Sequence, residues 1–387
     1  MTNISDRRPF SSSPTVKRFV AVLVVAIAAI LLLKFADGLM YDDPLLSPPT
    51  LQIRNQNKQL GAQINSIVVP NDDVGFTLPP ELDQTVQTYD FTFHRITDER
   101  GFPNAGTWPD SADIVFLGDS LLMGEGVGVE HGFVSLIDQT LKEKSIVNLG
   151  NPGAGPERQS RLFRQFGADL QPKLVVACLY LASDLMGDIH FDAWLNDPIG
   201  KTYNDFRLGY ARRYESRSRK SFISRMQSRP LYYWAQSVVE PRLPDGRKIL
   251  HELAMRDGAI LFFDRDQVEF AKRHFSETDK EIVLFSESLR HLQAIAAQQD
   301  ISLVFVLIPS KEEVFAVDIM GRADTAVELV KLALEGQNVP YLDLYPILRE
   351  HGQARTPYYS RDIHLNEYGN SLVAEVISRW VESIPGR

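Results

Sequence analysis

The stretch "IVFLGDSLLMGEGV", residues Ile114 to Val127, reads as a strand that ends on a serine. It begins as a continuous apolar run, the pattern of a strand buried on both faces. The run then stops on Gly118, Asp119 and Ser120, with further glycines at 124, 126 and 128. A strand that only filled a core has no need to end on a hydroxyl. Open parallel sheets keep their ligand crevices at the carboxyl ends of their strands, so the sequence sets Ser120 at the mouth of such a crevice.

Working outward, four more short β-rich runs follow: "SIVNLGNPG" from Ser145, "KLVVACLYLASD" from Lys173, "ISLVFVLIPSK" from Ile301 and "VPYLDLYP" from Val339. Segments with helical periodicity separate them. Such alternation implies right-handed β-α-β crossovers and a parallel sheet covered by helices on both faces, an α/β fold. "PERQSRLFRQFGADL" places Pro156 in the first turn of a helix. "TDKEIVLFSESLRHLQAIAAQQD" offers Thr278 as an N-cap with Glu281 three residues on, and "LNEYGNSLVAEVISRWVES" closes the chain as an amphipathic helix.

The 387 residues suffice for one enlarged domain and a leader. A net charge of −9 argues against nucleic acid as a partner. The only cysteine, Cys178, lies inside an apolar run, so no intramolecular disulfide forms and a buried, inert thiol is expected. Residues 1–18 read as a basic cytoplasmic leader with Arg7, Arg8, Lys17 and Arg18, and residues 19–40 as a signal anchor or a cleaved signal peptide around the run Phe19 to Leu33. The positive-inside bias then carries the remainder across the membrane. A single-pass transmembrane segment in the inner membrane with a periplasmic domain is the expectation, or secretion if the segment is cleaved.

Residues 41–110 read as a stalk with added strands, notably in "TYDFTFHRIT". The main domain spans 111–387, with a helical insertion at about 188–277. Basic and aromatic residues interleave in that insertion between Phe206 and Trp234. This is a solvated helix face, a wall or lid of the cleft, or a surface for anionic groups.

A serine hydroxyl is a weak nucleophile at neutral pH and needs a histidine to take its proton and a carboxylate to orient that histidine. "YYSRDIHLNEYGN" supplies both, with Asp362 and His364 just before the last helix. The developing oxyanion requires donors. The Ser120 amide, the Gly153 amide in its turn, and Ser183 at the end of the third run are the candidates. Asp119 and Asp184 are candidate cleft residues beside them. Neither a Walker lysine nor a clean G-x-G-x-x-G is present, and no metal-ligand pattern or cofactor motif is found.

At these residues the chain resembles the SGNH (GDSL-like) hydrolases. "FLGDSLLMGEGV", "NLGNPGAG", "LASDLMGD" and "RDIHLNEYG" are similar to the family's four blocks, in order, and cover the chain from about Asp113 onward apart from the insertion. The resemblance implies a three-layer α/β/α sandwich with a five-stranded parallel sheet, Ser120 as nucleophile, His364 as base, Asp362 as its partner, and the Ser120 and Gly153 amides in the oxyanion hole.

Two departures stand out. The third block usually carries Gly-x-Asn-Asp, whereas Ser183 stands in place of the asparagine and Leu181 or Ala182 in place of the glycine. The last block reads Asp-x-His rather than Asp-x-x-His, a form similar to members associated with bacterial exopolysaccharide, including alginate-type O-acetyltransferases. "IPSKEEVF" also looks like a segment of those members, which puts Lys311 and Glu312 on the cleft wall. The function implied is a serine esterase that removes O-acyl groups, notably acetyl, from a carbohydrate or another small acyl ester. An O-acyltransferase acting on an exopolysaccharide or envelope glycan shares every step up to the acyl-enzyme. A catalytically weak carbohydrate-binding or assembly protein is the reading from a different class.

Overall fold

In the computed structural model the strands, in chain order, are β1 (Val69–Asn71), β2 (Gly75–Thr77), β3 (Asp83–Gln87), β4 (Thr92–Ile96), β5 (Ile114–Gly118), β6 (Ile146–Gly150), β7 (Leu174–Leu179), β8 (Ile249–Ala254), β9 (Ile260–Asp264), β10 (Ser302–Leu307) and β11 (Tyr341–Asp343). The structure describes residues 18–29, 31–32, 67–88, 90–197, 199–207, 249–321 and 325–384. The five apolar runs singled out in the sequence become a parallel sheet in the order β11-β10-β7-β5-β6. β5 pairs with β6 from Ile114↔Ile146 to Gly118↔Gly150, and with β7 from Ile114↔Leu174 to Leu117↔Ala177.

Alternate side chains leave each strand on opposite faces, and both faces are buried. Ile114, Phe116, Val176, Val304 and Val306 pack with Phe133, Ile137, Val373 and Ile377, from the helices Phe133–Thr140 and Glu367–Ser383. Val115, Leu117, Val175 and Phe305 face the other way, onto Leu162, Phe285, Leu289 and Val330, from the helices Pro156–Leu162, Lys280–Gln298 and Thr325–Gly336. Three layers result, and they explain why the central strands carry no polar face. After β5 the chain turns to β6 on one side and then returns to β7 on the other. That reversal of strand order opens a crevice at the carboxyl end of β5.

Contacts divide the chain into two units, residues 1–55 with 219–246 and residues 56–218 with 247–387. In the first, residues 18–29 and 31–32 are helical, and Phe19, Val22, Val25 and Leu32 are exposed. No helix among the described residues is long and apolar enough to cross a membrane. In the second unit, residues 67–110 form two antiparallel hairpins, β1–β2 and β3–β4. The Pro-rich sequence before them, and the basic segment beyond Arg207, lie outside the described residues.

Two expectations are corrected. The insertion is not simply helical, because β8 and β9 form an antiparallel hairpin ahead of the helix Arg265–Ala271. Its signal is legible in retrospect: Asp257-Gly258 between two β-rich runs is turn chemistry, with Gly258 at φ +85° and the Met255 and Ala259 backbones joined at 2.8 Å. Thr278 is also not the N-cap of the long helix, which starts at Lys280 after Asp279. Thr278 hydrogen-bonds Ser276 through its hydroxyl at 3.0 Å, and Glu281 accepts from Arg273 at 2.8 Å. Both partners of the expected capping box are engaged elsewhere.

Candidate active site

Ser120 is the first residue of a short helix, Ser120–Met123, that begins directly after β5. Asp119 caps it, its Oδ1 accepting from the Leu121 amide at 2.9 Å. The helix sits close over the strand ends because β6 finishes in glycine: a Cβ at Gly150 would lie 2.7 Å from the Met123 nitrogen. Any side chain there would push the turn that bears Ser120 away from the sheet. The first amide of a helix has no intrahelical partner, and among the described residues neither the Ser120 nor the Gly153 amide donates to another backbone group. Gly153 lies in the turn after β6 at φ +64°.

The loop before the last helix returns to the same edge. His364 Nε2 lies 2.8 Å from Ser120 Oγ, and His364 Nδ1 lies 2.5 Å from Asp362 Oδ1. The same Asp362 oxygen accepts the His364 backbone N–H at 3.0 Å. The two-residue spacing thus suffices for the contact, since the loop folds back on itself: the Tyr359 amide donates to the His364 carbonyl at 3.1 Å. Burial opposes charging His364, but the charge and hydrogen bond of Asp362, with Glu125 and Asp119 farther off, raise its pKa above the ordinary value. Burial likewise opposes ionisation of Asp362, and the His364 charge and its hydrogen bonds outweigh it, holding the carboxyl far below the usual range.

The remaining residues expected at the site are placed differently. Ser183 does not aim its hydroxyl into an oxyanion site. It donates to Asp119 Oδ2 at 2.9 Å, and its other neighbours within 3.4 Å, the Tyr180 carbonyl and Asp184 Oδ1, are acceptors as well. A hydroxyl has one proton, and here three acceptors surround it. Asp119 is 4% exposed and Asp184 fully buried, so neither lines an open cleft. Asp184 Oδ2 caps the Tyr180 amide at 2.8 Å. Burial pushes the Asp119 carboxyl up, and burial together with Asp119 pushes Asp184 well above its ordinary value.

Lys311 and Glu312, expected on the cleft wall, are each only 1% exposed. Their turn packs against the loop that carries Asp362 and His364, where Lys311 Nζ donates to the Asp362 carbonyl at 2.9 Å and the Ser360 carbonyl at 3.3 Å. Residue type marks Lys311 in the sequence but not this task. Asp90, whose carboxylate also meets this loop, is an isolated aspartate between two aromatics and carries no local signal. Cys178 is buried and its thiol is raised well above the ordinary value by that burial.

The fold is an open five-stranded parallel sheet with a serine at its switch point, faced by a histidine and an aspartate. Residues 261–386, a stretch that includes Asp362 and His364, match the family described as "SGNH hydrolase-like domain, acetyltransferase AlgX". No curated protein sequence matches the chain. Among solved structures it is similar to the acetyl xylan esterase AlAXEase, at 13% identity over 70% of this chain and 99% of that one, with a TM-score of 0.37. A lipase/acylhydrolase from Enterococcus faecalis gives 13%, 71% and 98%, with a TM-score of 0.38. A catalytic mutant of an acetylxylan esterase from Geobacillus stearothermophilus gives 12%, 70% and 94%, with a TM-score of 0.36.

Proposed function

We propose that this chain cleaves O-acyl esters, acetyl esters of a carbohydrate in particular, through an acyl-enzyme on Ser120. The observation that carries this reading is the unbroken row Ser120 Oγ, His364, Asp362, at 2.8 and 2.5 Å. Ser120 Oγ attacks the acyl carbonyl carbon while its proton passes to His364 Nε2. Asp362 holds the ring with Nδ1 protonated, so that Nε2 is the free acceptor. The Ser120 and Gly153 amides receive the developing oxyanion. The tetrahedral intermediate then expels the alcohol, which takes the proton from His364, and an acyl-serine remains. Water, activated by the same imidazole, releases the acid and restores the serine.

A second reading has its own support in the acetyltransferase description of the matched family. There a sugar hydroxyl replaces water in the final step, and every residue keeps its role. The exposed apolar residues of the helical stretch 18–29 support an N-terminal membrane anchor, and Arg7, Arg8, Lys17 and Arg18, ahead of the apolar run, support a domain outside the cytoplasm.

The test is release of acetate from an activated acetyl ester by the full chain, with Ser120→Ala as the control. Turnover is expected for the native protein and none above background for the variant. Equal rates in the two proteins would end the acyl-enzyme reading. Adding neutral and acidic oligosaccharides then separates the two fates of the acyl group: acetylated sugar means transfer, and unchanged acetate release means hydrolysis.

A further inference from the structure

The β3–β4 hairpin lies outside every motif that resembles the family, yet it touches both catalytic loops. Thr88 shapes its tip, accepting the Asp90 and Phe91 amides on its hydroxyl at 3.3 and 3.2 Å. This presents Asp90 toward the loop that carries Asp362 and His364. Asp90 Oδ2 accepts the Arg361 amide at 2.6 Å and the Asp362 amide at 2.7 Å, and Oδ1 lies 3.3 Å from the Arg361 guanidinium. The Asp90 side chain is 6% exposed. Bonds from amides to a buried carboxylate are charge-assisted and directional.

Lys311 donates to the carbonyls of Ser360 and Asp362 in the same loop. The loop is thus held by a negative charge on its amides and a positive charge on its carbonyls. A second tie joins the same hairpin to the turn after Ser120. Arg95 points inward from β4 and donates to both oxygens of Glu125 at 2.6 and 2.5 Å. Phe91 packs on Tyr359 with ring centroids 4.7 Å apart, and the Tyr359 hydroxyl donates to the Gly126 carbonyl at 2.7 Å. Only glycine fits at 126, where φ is +97° and a Cβ would lie 2.7 Å from the Tyr359 ring.

We propose that Asp90 is a positioning residue for the acyl-transfer reaction: by gripping the amides of Arg361 and Asp362 it fixes where the Asp362 carboxylate meets His364. This rests on the reading of Ser120, His364 and Asp362 given above. The appended hairpin is then a working part of the site. Asp90 acts through placement, since it touches the backbone of the loop and not the imidazole. Asp362 from its own loop contacts His364 directly, Asp119 and Glu125 from the β5 turn act on it from farther off, and Lys311 acts on Asp362.

Three substitutions in the full chain separate placement from charge and from bulk stability. Asp90→Asn keeps an oxygen able to accept both amides but removes the charge. Asp90→Glu keeps the charge but moves it by one methylene, and Asp90→Ala removes the grip. The expected order of kcat on an acetyl ester is native and Asn within about threefold, with Glu and Ala lower by ~10- to 10²-fold, the scale of a misplaced acid-base group. KM should change by less than about twofold.

NMR titration of the His364 ring, assigned with His364→Gln, provides a readout independent of turnover. Its pKa should fall toward the ordinary value in the Glu and Ala variants and stay raised in Asn. A Glu variant with native kcat beside an impaired Asn variant would overturn the proposal in favour of a charge effect. Native behaviour of the Ala variant in both measurements would overturn it outright. If Ala fails to fold, Asn against Glu still decides. If the native protein has no esterase activity, the function reading fails while the titration still tests the placement.

Discussion

Asp362→Asn separates orientation of the imidazole from its electrostatic support. In the native site one oxygen, Asp362 Oδ1, accepts both the His364 backbone N–H at 3.0 Å and the ring Nδ1–H at 2.5 Å. In the asparagine variant the amide oxygen must occupy that place, because the NH2 group would otherwise face two donors. The ring therefore keeps its proton on Nδ1 and leaves Nε2 free for Ser120.

What disappears is the charge. A hydrogen bond to an ionised group contributes about 1.5–3 kcal/mol, against about 0.5–1.5 kcal/mol for a neutral one. A difference of about 1–2 kcal/mol at the transition state corresponds to a fall of ~5- to 30-fold in kcat. Asp362→Ala removes the acceptor as well, so that orientation and tautomer are both released. Its loss should reach ~10²- to 10⁴-fold, the range of general acid-base catalysis. Steady-state hydrolysis of a chromogenic acetyl ester at fixed pH reads both variants. Asparagine and alanine variants equal within twofold would refute the reasoning, for they would mean that the amide does not hold the ring.

Because His364 must be neutral to accept the serine proton and its pKa is raised, kcat/KM should climb with pH, with a midpoint above ~6.5; a midpoint below 6 would contradict the geometry of Asp362 and Glu125. Ser183→Asn should raise turnover, by up to ~10²-fold, since an amide can serve Asp119 with one N–H and the oxyanion with the other; unchanged kcat in a folded variant would show that a third donor is already supplied. Asp188, pushed up to about 7 chiefly by burial, contributes stability that is fully present below its unfolded pKa and is lost as pH rises through about 7. Thermal unfolding of Asp188→Asn should accordingly lose less between pH 5 and about 8 than the native protein does, and parallel curves would count against a buried ionisation.

Much of the site could be read in advance because its chemistry is carried by local patterns. Ser120 follows a strand, Asp362 and His364 stand two apart before a helix, and Gly153 falls in a turn that only a few residues tolerate. Ser183, Asp184, Lys311 and Glu312 were harder, because residue type gives a side chain's capacity and not its direction. By type Ser183 is an oxyanion donor, but its one O–H is donated to Asp119. By type Lys311 suits a cleft wall, but it is buried against the loop and donates to the Asp362 carbonyl.

The parallel α/β sheet and the strand end that bears Ser120 are legible in the sequence, since apolar periodicity and turn chemistry act over a few residues. Only the tertiary structure decided that a hairpin near residue 90 would meet a loop near residue 362, at 2.6 and 2.7 Å. Contacts that far apart along the chain follow from how the layers pack and leave no pattern in either segment alone. The physical reason is that a hydrogen bond depends on where two groups arrive, which their own neighbours do not set.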